Sequence, residues 1–121
     1  MRVAETILIL VLLPGLGAAL GTACAPAVEH PGWLDSVIAE LEAEPVANPP
    51  ALVAEYEYKG QVVYYVPPRC CDVASTVFDS TGAVMCSADG GLTGKGDGRC
   101  PDFAAERRNE QIIWRDRRKV R

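Results

Sequence analysis

Proline and glycine limit how long any helix or strand in this chain can be. Pro45 ends a helical pattern, the run 48–50 (Asn-Pro-Pro) forms a loop that cannot be helical, and the Pro-Pro pair at 67–68 ends a strand pattern. Residues 88–102 hold five glycines, so a conventional strand or helix is not expected there. The chain should therefore fold from short elements, and its 121 residues predict a single domain.

The N-terminal segment 1–23 has the features of a secretory signal peptide, which is removed from the mature protein. Its apolar run, residues 7–13, is too short to span a bilayer, since a spanning helix needs about 20 apolar residues. Cleavage before Cys24 would match the bacterial lipoprotein pattern, although Gly21 stands where that pattern usually has Leu. We therefore expect acylation of the Cys24 thiol and a lipid anchor at the cell envelope. The alternative is ordinary cleavage near Ala23, which releases a soluble periplasmic or extracellular protein.

The mature chain is expected to divide into three parts. Residues 24–32 form a short tether, residues 33–116 a single domain, and residues 117–121 a basic tail. Within the domain, the apolar positions 34, 37, 38 and 41 have the spacing of an amphipathic helix, which we expect over 33–44. The predicted fold class is α+β, with one amphipathic helix packed on one face of a small antiparallel sheet.

Two β-hairpins are predicted for the sheet, because two pairs of β-rich runs each flank a tight-turn sequence that contains glycine. The paired runs are 53–58 with 62–66, and 76–78 with 83–86. We expect Gly60 and Gly82 to take the positive φ that such turns require. After Phe103, a short helical turn and a brief strand over 111–114 are expected. The tyrosines at positions 56, 58, 64 and 65 are expected in the core and surface of the sheet rather than on a binding platform.

Four cysteines remain besides the expected anchor residue: Cys70, Cys71, Cys86 and Cys100. An even number of cysteines in an exported chain indicates two disulfides, which would fix the glycine-rich loop covalently. Side chains of adjacent residues in extended structure point to opposite faces, so Cys70 and Cys71 should reach different partners. Counting from the turn at 79–82 with one bulge residue places Cys86 opposite position 76, which favours the pairs Cys70–Cys86 and Cys71–Cys100. The other two pairings stay open, and a zinc site is disfavoured because the Cys-x-x-Cys spacing common in structural zinc sites is absent.

The glycine-rich loop holds the candidate binding residues. The favoured interpretation is that the glycines only permit tight backbone turns. Because exposed ordered loops often carry function, Thr93, Lys95 and Asp97 are the candidate contacts to a ligand or partner. The spacing fails for a phosphate-binding P-loop, and the order of Asp89, Asp97 and Asp102 does not match a calcium-binding EF-hand loop. We therefore expect no metal site and no cofactor.

Charge is unevenly distributed along the chain. Residues 29–57 hold seven acidic and no basic side chains, whereas residues 104–121 hold seven basic and three acidic ones. The basic end is either solvated or docks on anionic lipid headgroups or wall polymers. Because the whole chain carries a net charge of −4 and is expected to be exported, we expect no nucleic-acid partner.

Two short motifs, Cys-Cys-Asp at 70–72 and Gly-Lys-Gly-Asp-Gly at 94–98, stand within the run from Pro45 to Phe103. With these motifs, the run resembles a bacterial family catalogued only as a domain of unknown function, whose members are small, exported and often lipoprotein-like. The resemblance implies a single exported domain with no assigned reaction, and it brings no catalytic residues.

These observations favour a non-enzymatic, lipid-anchored module that binds a protein, peptide or polymer of the cell envelope. No catalytic residue is assigned, because the single histidine, His30, lies in the expected tether. Two alternatives stay open: an inhibitor-like module whose rigid glycine loop enters a partner's cleft, and a small hydrolase. A flat aromatic sheet face would favour the binding module, a protruding disulfide-braced loop the inhibitor-like module, and a pocket with convergent carboxylates the hydrolase.

Overall fold

The protein has an α+β fold in the computed structural model, which describes residues 28–69 and 72–120 together with Gly15, Gly17 and Gly21. The helices are α1 (Leu34–Ala43) and α2 (Phe103–Glu106). The strands are β1 (Leu52–Tyr58), β2 (Gln61–Val66), β3 (Thr76–Phe78), β4 (Val84–Cys86) and β5 (Arg108–Arg115). These strands form one antiparallel sheet in the order β4-β3-β2-β1-β5.

Both predicted hairpins are present, and their turns follow from local sequence. β1 and β2 are joined by Lys59 and Gly60, which have φ values of 49° and 77°. A two-residue turn with positive φ matches the right-handed twist of the flanking strands. In the turn between β3 and β4, Gly82 has φ 91°, and the Asp79 carboxylate accepts the Thr81 N–H at 2.8 Å. The positive φ expected at Gly60 and Gly82 is therefore confirmed.

A fifth strand corrects the expectation of a sheet made of two hairpins alone. The helical turn and strand predicted after residue 103 are present as α2 and β5, but β5 has eight residues and pairs with β1. β2 consequently lies at the centre of the sheet, which explains why its second half is buried on both faces. Two register shifts against β1 interrupt β5, and such bulges are typical of edge strands.

The helix α1 covers one face of the sheet with the apolar stripe that the sequence predicts. Leu34 and Leu41 are buried in one cluster with Tyr64 of β2, and each buried leucine contributes about 1.5–3 kcal/mol. Trp33, which precedes the helix, packs edge-on against Tyr64 with ring centroids 5.4 Å apart. Its indole N–H donates to the Ser80 carbonyl at 3.0 Å. These contacts hold the start of α1 against the β3–β4 turn.

The opposite face of the sheet is covered by the glycine-rich loop and α2. The core on this side consists of inward-facing strand residues, two cysteines and one phenylalanine: Ala54, Tyr56, Tyr58, Val63, Tyr65, Val77, Cys86, Cys100 and Phe103. The tyrosines at positions 56, 58, 64 and 65 are each at most 6% exposed. Their expected place in the sheet is confirmed, and these four rings do not form a flat binding face.

One disulfide joins two of the described cysteines. It links Cys86 to Cys100, whose Cα atoms are 6.1 Å apart. The expected pairs Cys70–Cys86 and Cys71–Cys100 are therefore wrong, because each bonded cysteine had been assigned to another partner. Cys70 and Cys71 themselves lie outside the described residues, as does Cys24.

The count from the turn included one bulge residue, and a further extra residue in β4 is the reason for the error in the pairing. Phe78 of β3 pairs with Val84 of β4, but Val77, the preceding residue of β3, pairs with Cys86. Met85 is therefore an extra residue in β4, and it shifts the register by one. Because a one-residue shift moves a side chain to the other face of the sheet, Cys86 faces the side on which Cys100 lies.

The first part of the basic tail is folded onto the end of α1. Arg118 donates hydrogen bonds to the carbonyls of Glu42 and Glu44, at 2.9 and 3.1 Å. The buried Asp116 carboxylate accepts from the same guanidinium at 2.7 Å, and this hydrogen bond lowers the pKa of Asp116. Arg118 thus satisfies carbonyls that have no partner within the helix, and its charge complements the helix C-terminus.

Candidate functional site

The glycine-rich loop is closed at its base by the disulfide. Cys86 ends β4 and Cys100 precedes α2, and the two residues are only 0% and 7% exposed. The bond encloses residues 87–99 and restricts the unfolded chain, which stabilises the fold by about 3 kcal/mol for a loop of this size. The two ends of the loop are therefore joined to each other by a covalent bond at a buried position.

Inside the loop, the Asp97 carboxylate accepts hydrogen bonds from both limbs, which are the segment that leaves Cys86 and the segment that returns to Cys100. Its Oδ2 atom accepts the Ser87 N–H at 3.0 Å, and its Oδ1 atom accepts the Arg99 N–H at 3.0 Å. Both hydrogen bonds lower the pKa of Asp97, and the one from the Arg99 N–H is the larger cause. In the other direction, the Asp97 N–H donates to the Ser87 carbonyl at 2.9 Å. Asp97 is thus an internal acceptor that joins the two limbs of the loop.

Gly96 lies where the two limbs approach most closely. Its φ is +65°, and a Cβ atom at this position would lie 1.9 Å from the Ser87 carbonyl oxygen. Gly94 has a similar φ of +72°, but nothing lies within 4 Å of a Cβ atom there. Glycine is therefore required at position 96 by conformation and by space, and at position 94 by conformation alone.

The base of the loop is bonded to the sheet through Asp89. The Tyr65 hydroxyl lies 2.8 and 2.9 Å from the two carboxylate oxygens of Asp89 and donates to them. The Ser75 N–H donates to the Asp89 carbonyl at 2.9 Å, and the Ser75 hydroxyl accepts the Asp89 N–H at 3.1 Å. Because Ser75 is 1% exposed, these bonds are shielded from competition with water.

The tip of the loop exposes an apolar side chain and a cation. Leu92 is 89% exposed, more than any other large apolar side chain among the described residues. Lys95 is also exposed, and within the described part of the chain no carboxylate lies within 4 Å of its ammonium group. The Thr93 hydroxyl accepts the Lys95 N–H at 3.1 Å and so serves the turn itself. Leu92 and Lys95 are the apolar side chain and the unpaired cation that the tip of the loop presents to solvent.

Three tyrosine–carboxylate hydrogen bonds lie on the loop side of the sheet: Tyr56 to Glu110, Tyr58 to Asp102, and Tyr65 to Asp89. Burial, followed by the hydrogen bond to Glu110, raises the pKa of Tyr56 to about 12. Burial is also the main reason that the pKa values of Tyr58 and Tyr65 are raised. The three hydroxyls are therefore neutral hydrogen-bond donors at physiological pH.

Arg107 stacks on the aromatic rings of this face. Its guanidinium carbon lies 4.7 Å from the ring centroid of Tyr56, 5.4 Å from that of Tyr65 and 5.5 Å from that of Phe103. Such cation–π contacts contribute about 0.5–2 kcal/mol, depending on how far the cation is desolvated. Because Arg107 directly follows α2, the stacking holds this short helix against the sheet.

The three predicted binding residues lie on one loop but differ in what their side chains do. Asp97 and Thr93 accept hydrogen bonds from the loop backbone, whereas Lys95 is available to a partner. That these residues contact a ligand stays a prediction. Sequence reasoning missed Leu92, although a single apolar residue among glycines and polar residues is a signal that could have found it.

Three aspartates whose order does not match a calcium-binding loop accept hydrogen bonds from protein groups: Asp89, Asp97 and Asp102. Across residues 28–69 and 72–120, no three His, Cys, Asp or Glu side chains are arranged to hold a metal ion. The carboxylates of the loop are thus used within the fold itself.

The family comparison agrees with the resemblance seen in the sequence. The profile of a family described as "Domain of unknown function (DUF6970)" matches residues 39–116, well over half of the chain. The chain belongs to this family. The matched DUF6970 segment contains the whole sheet, the disulfide, the glycine-rich loop and α2. No curated protein and no solved structure matches the chain.

Two further observations bear on where the DUF6970 domain resides. The Cys86–Cys100 disulfide is compatible with an oxidising, exported environment. Among the described residues, no helix has the length and apolar character needed to cross a membrane.

Proposed function

We propose that this chain is a non-enzymatic binding module of the cell envelope, exported and lipid-anchored at Cys24, and that loop 87–99 is its contact element. One observation carries the proposal. Leu92 is 89% exposed at the tip of a loop whose ends are joined by a disulfide and whose limbs are hydrogen-bonded to each other. Burying this side chain against a partner contributes about 1.5–3 kcal/mol to binding.

The backbone of the loop is already ordered in the free protein, and this order favours tight binding even when the contact area is small. Ordering a flexible segment opposes association, and a segment that is held in its bound conformation avoids most of that cost. In this loop, the backbone is held by the disulfide, by Asp97 between the limbs and by Asp89 at the base. This arrangement supports the inhibitor-like mode, in which the tip of the loop enters a partner's cleft.

The tip also indicates the chemistry of the partner. Leu92 requires an apolar pocket, and Lys95 requires a carboxylate or a carbonyl cluster beside that pocket. A protein cleft offers both groups at fixed positions. We therefore expect an envelope protein, rather than a polymer of uniform chemistry, to occupy this contact.

Site-specific photo-cross-linking in the intact envelope tests the proposal. A photoreactive amino acid at position 92 should give one discrete cross-linked protein, and Lys95→Glu should weaken that product because it reverses the charge at the tip. The matched control is the same amino acid at position 84, since Val84 is an exposed apolar residue outside the loop, at 55% exposure. The same products from positions 92 and 84, or none from position 92, would contradict the proposal.

A further inference from the structure

A groove with a basic rim runs along the end of β5 and the start of the tail. Residues 112–118 line it together with Val28 and Glu42. Arg115 and Arg117 are exposed, and neither lies within 4 Å of a carboxylate among the described residues. Two cations on this surface are therefore available to an external anion.

The surface is positive although the chain as a whole carries a net charge of −4. Residues 115–119 contain four basic side chains and one acidic one. The acidic residue, Asp116, is buried and already bound to Arg118. Lys119 lines the adjoining pocket and adds a third unpaired cation, while Glu42 is the only other carboxylate of the groove lining besides Asp116. The local balance favours an anionic partner.

Val28 connects this groove to the expected point of lipid attachment. Cys24 precedes Val28 by four residues, and four residues of fully extended chain reach at most about 14 Å. A lipid on Cys24 would therefore keep the groove within that distance of the point at which the chain meets the membrane.

We propose that this basic groove docks on anionic phospholipid headgroups and so orients the anchored domain on the membrane. The inference rests on the proposed lipid anchor, but it concerns a separate, electrostatic contact. The anchor fixes the distance to the membrane, and the groove selects which side of the domain faces it. Each basic residue near an anionic surface strengthens attachment about fivefold, and the attraction falls off within a Debye length, about 8 Å at physiological salt.

Co-sedimentation with vesicles tests the groove independently of the anchor when it uses the Cys24→Ser chain, which cannot be acylated at that position. We expect this chain to bind vesicles that contain phosphatidylglycerol, to bind less at high salt, and to bind phosphatidylcholine vesicles far more weakly. Arg117→Gln should reduce binding to the anionic vesicles about fivefold, and the double variant with Lys119→Gln about 25-fold. Both side chains are exposed, so circular dichroism should show an unchanged fold.

Arg108→Gln is the matched control. It removes the same charge from an exposed position at the other end of β5, about 20 Å from Arg115 and so beyond the Debye length. We expect it to leave vesicle binding nearly unchanged. Equal losses in Arg108→Gln and Arg117→Gln, or equal binding to anionic and zwitterionic vesicles, would overturn the groove proposal. Retention of Cys24→Ser on cell membranes at high salt would overturn the lipid anchor and leave the vesicle result standing.

Discussion

At the scale of single residues, Asp97 joins the two limbs of the loop. The sequence predicted that this carboxylate contacts a partner, yet its two oxygens accept N–H groups from Ser87 and Arg99. Both hydrogen bonds favour the ionised carboxylate, which is why its pKa lies below the ordinary value of 3.8. The charge on Asp97 is therefore part of what holds the loop together.

Acid should remove the stabilisation that Asp97 provides. A carboxylate whose pKa is lowered in the folded state stabilises the fold above its unfolded pKa, and this stabilisation is lost as the pH falls through the folded value. Asp97→Asn should therefore melt at a lower temperature than the wild type near neutral pH, and the two melting temperatures should converge below pH 3.8. Thermal unfolding of both proteins over this range checks the prediction. A difference that does not change with pH would contradict it.

At the scale of elements, the features set by local sequence were predicted and those set by distant contacts were not. The amphipathic helix, both hairpins and the positive φ of Gly60 and Gly82 each depend on a few neighbouring residues. The contact between Arg118 and Glu42 joins residues 76 positions apart, and nothing in the local pattern signals it. The pairing of Cys86 failed for a different reason, since one bulge residue more than the prediction included reversed the face on which its side chain lies.

The loop as an element should respond unequally to alanine at its two central glycines. Gly94→Ala should cost about 1 kcal/mol, because alanine is strained at the positive φ of this position but has space around it. Gly96→Ala should cost at least about twice as much, because its Cβ would overlap the Ser87 carbonyl and force the limbs apart. Urea unfolding of both variants measures the two values. Equal costs would mean that the limbs are not in close contact.

At the scale of the whole molecule, the two proposed surfaces follow the two edge strands of the sheet. The loop follows β4 and the groove follows β5, and these edge strands are four strand spacings apart, about 19 Å. The loop covers one face of the sheet, whereas the groove lies at the end of β5, where Ile112 packs in the loop-side core and Ile113 and Trp114 pack on the α1 side. The two proposed contacts therefore use different elements, the loop after β4 and the end of β5.

Order in the free loop distinguishes a pre-organised contact element from a segment that folds only on binding. Nitrogen-15 relaxation of the unbound protein measures this directly, amide by amide. We predict order parameters of about 0.85 for residues 87–99, equal to those of the sheet, because the disulfide and the hydrogen bonds of Asp97 and Asp89 restrain both limbs. Order parameters below about 0.6 across the tip would show that the loop is flexible on its own, and they would contradict the account.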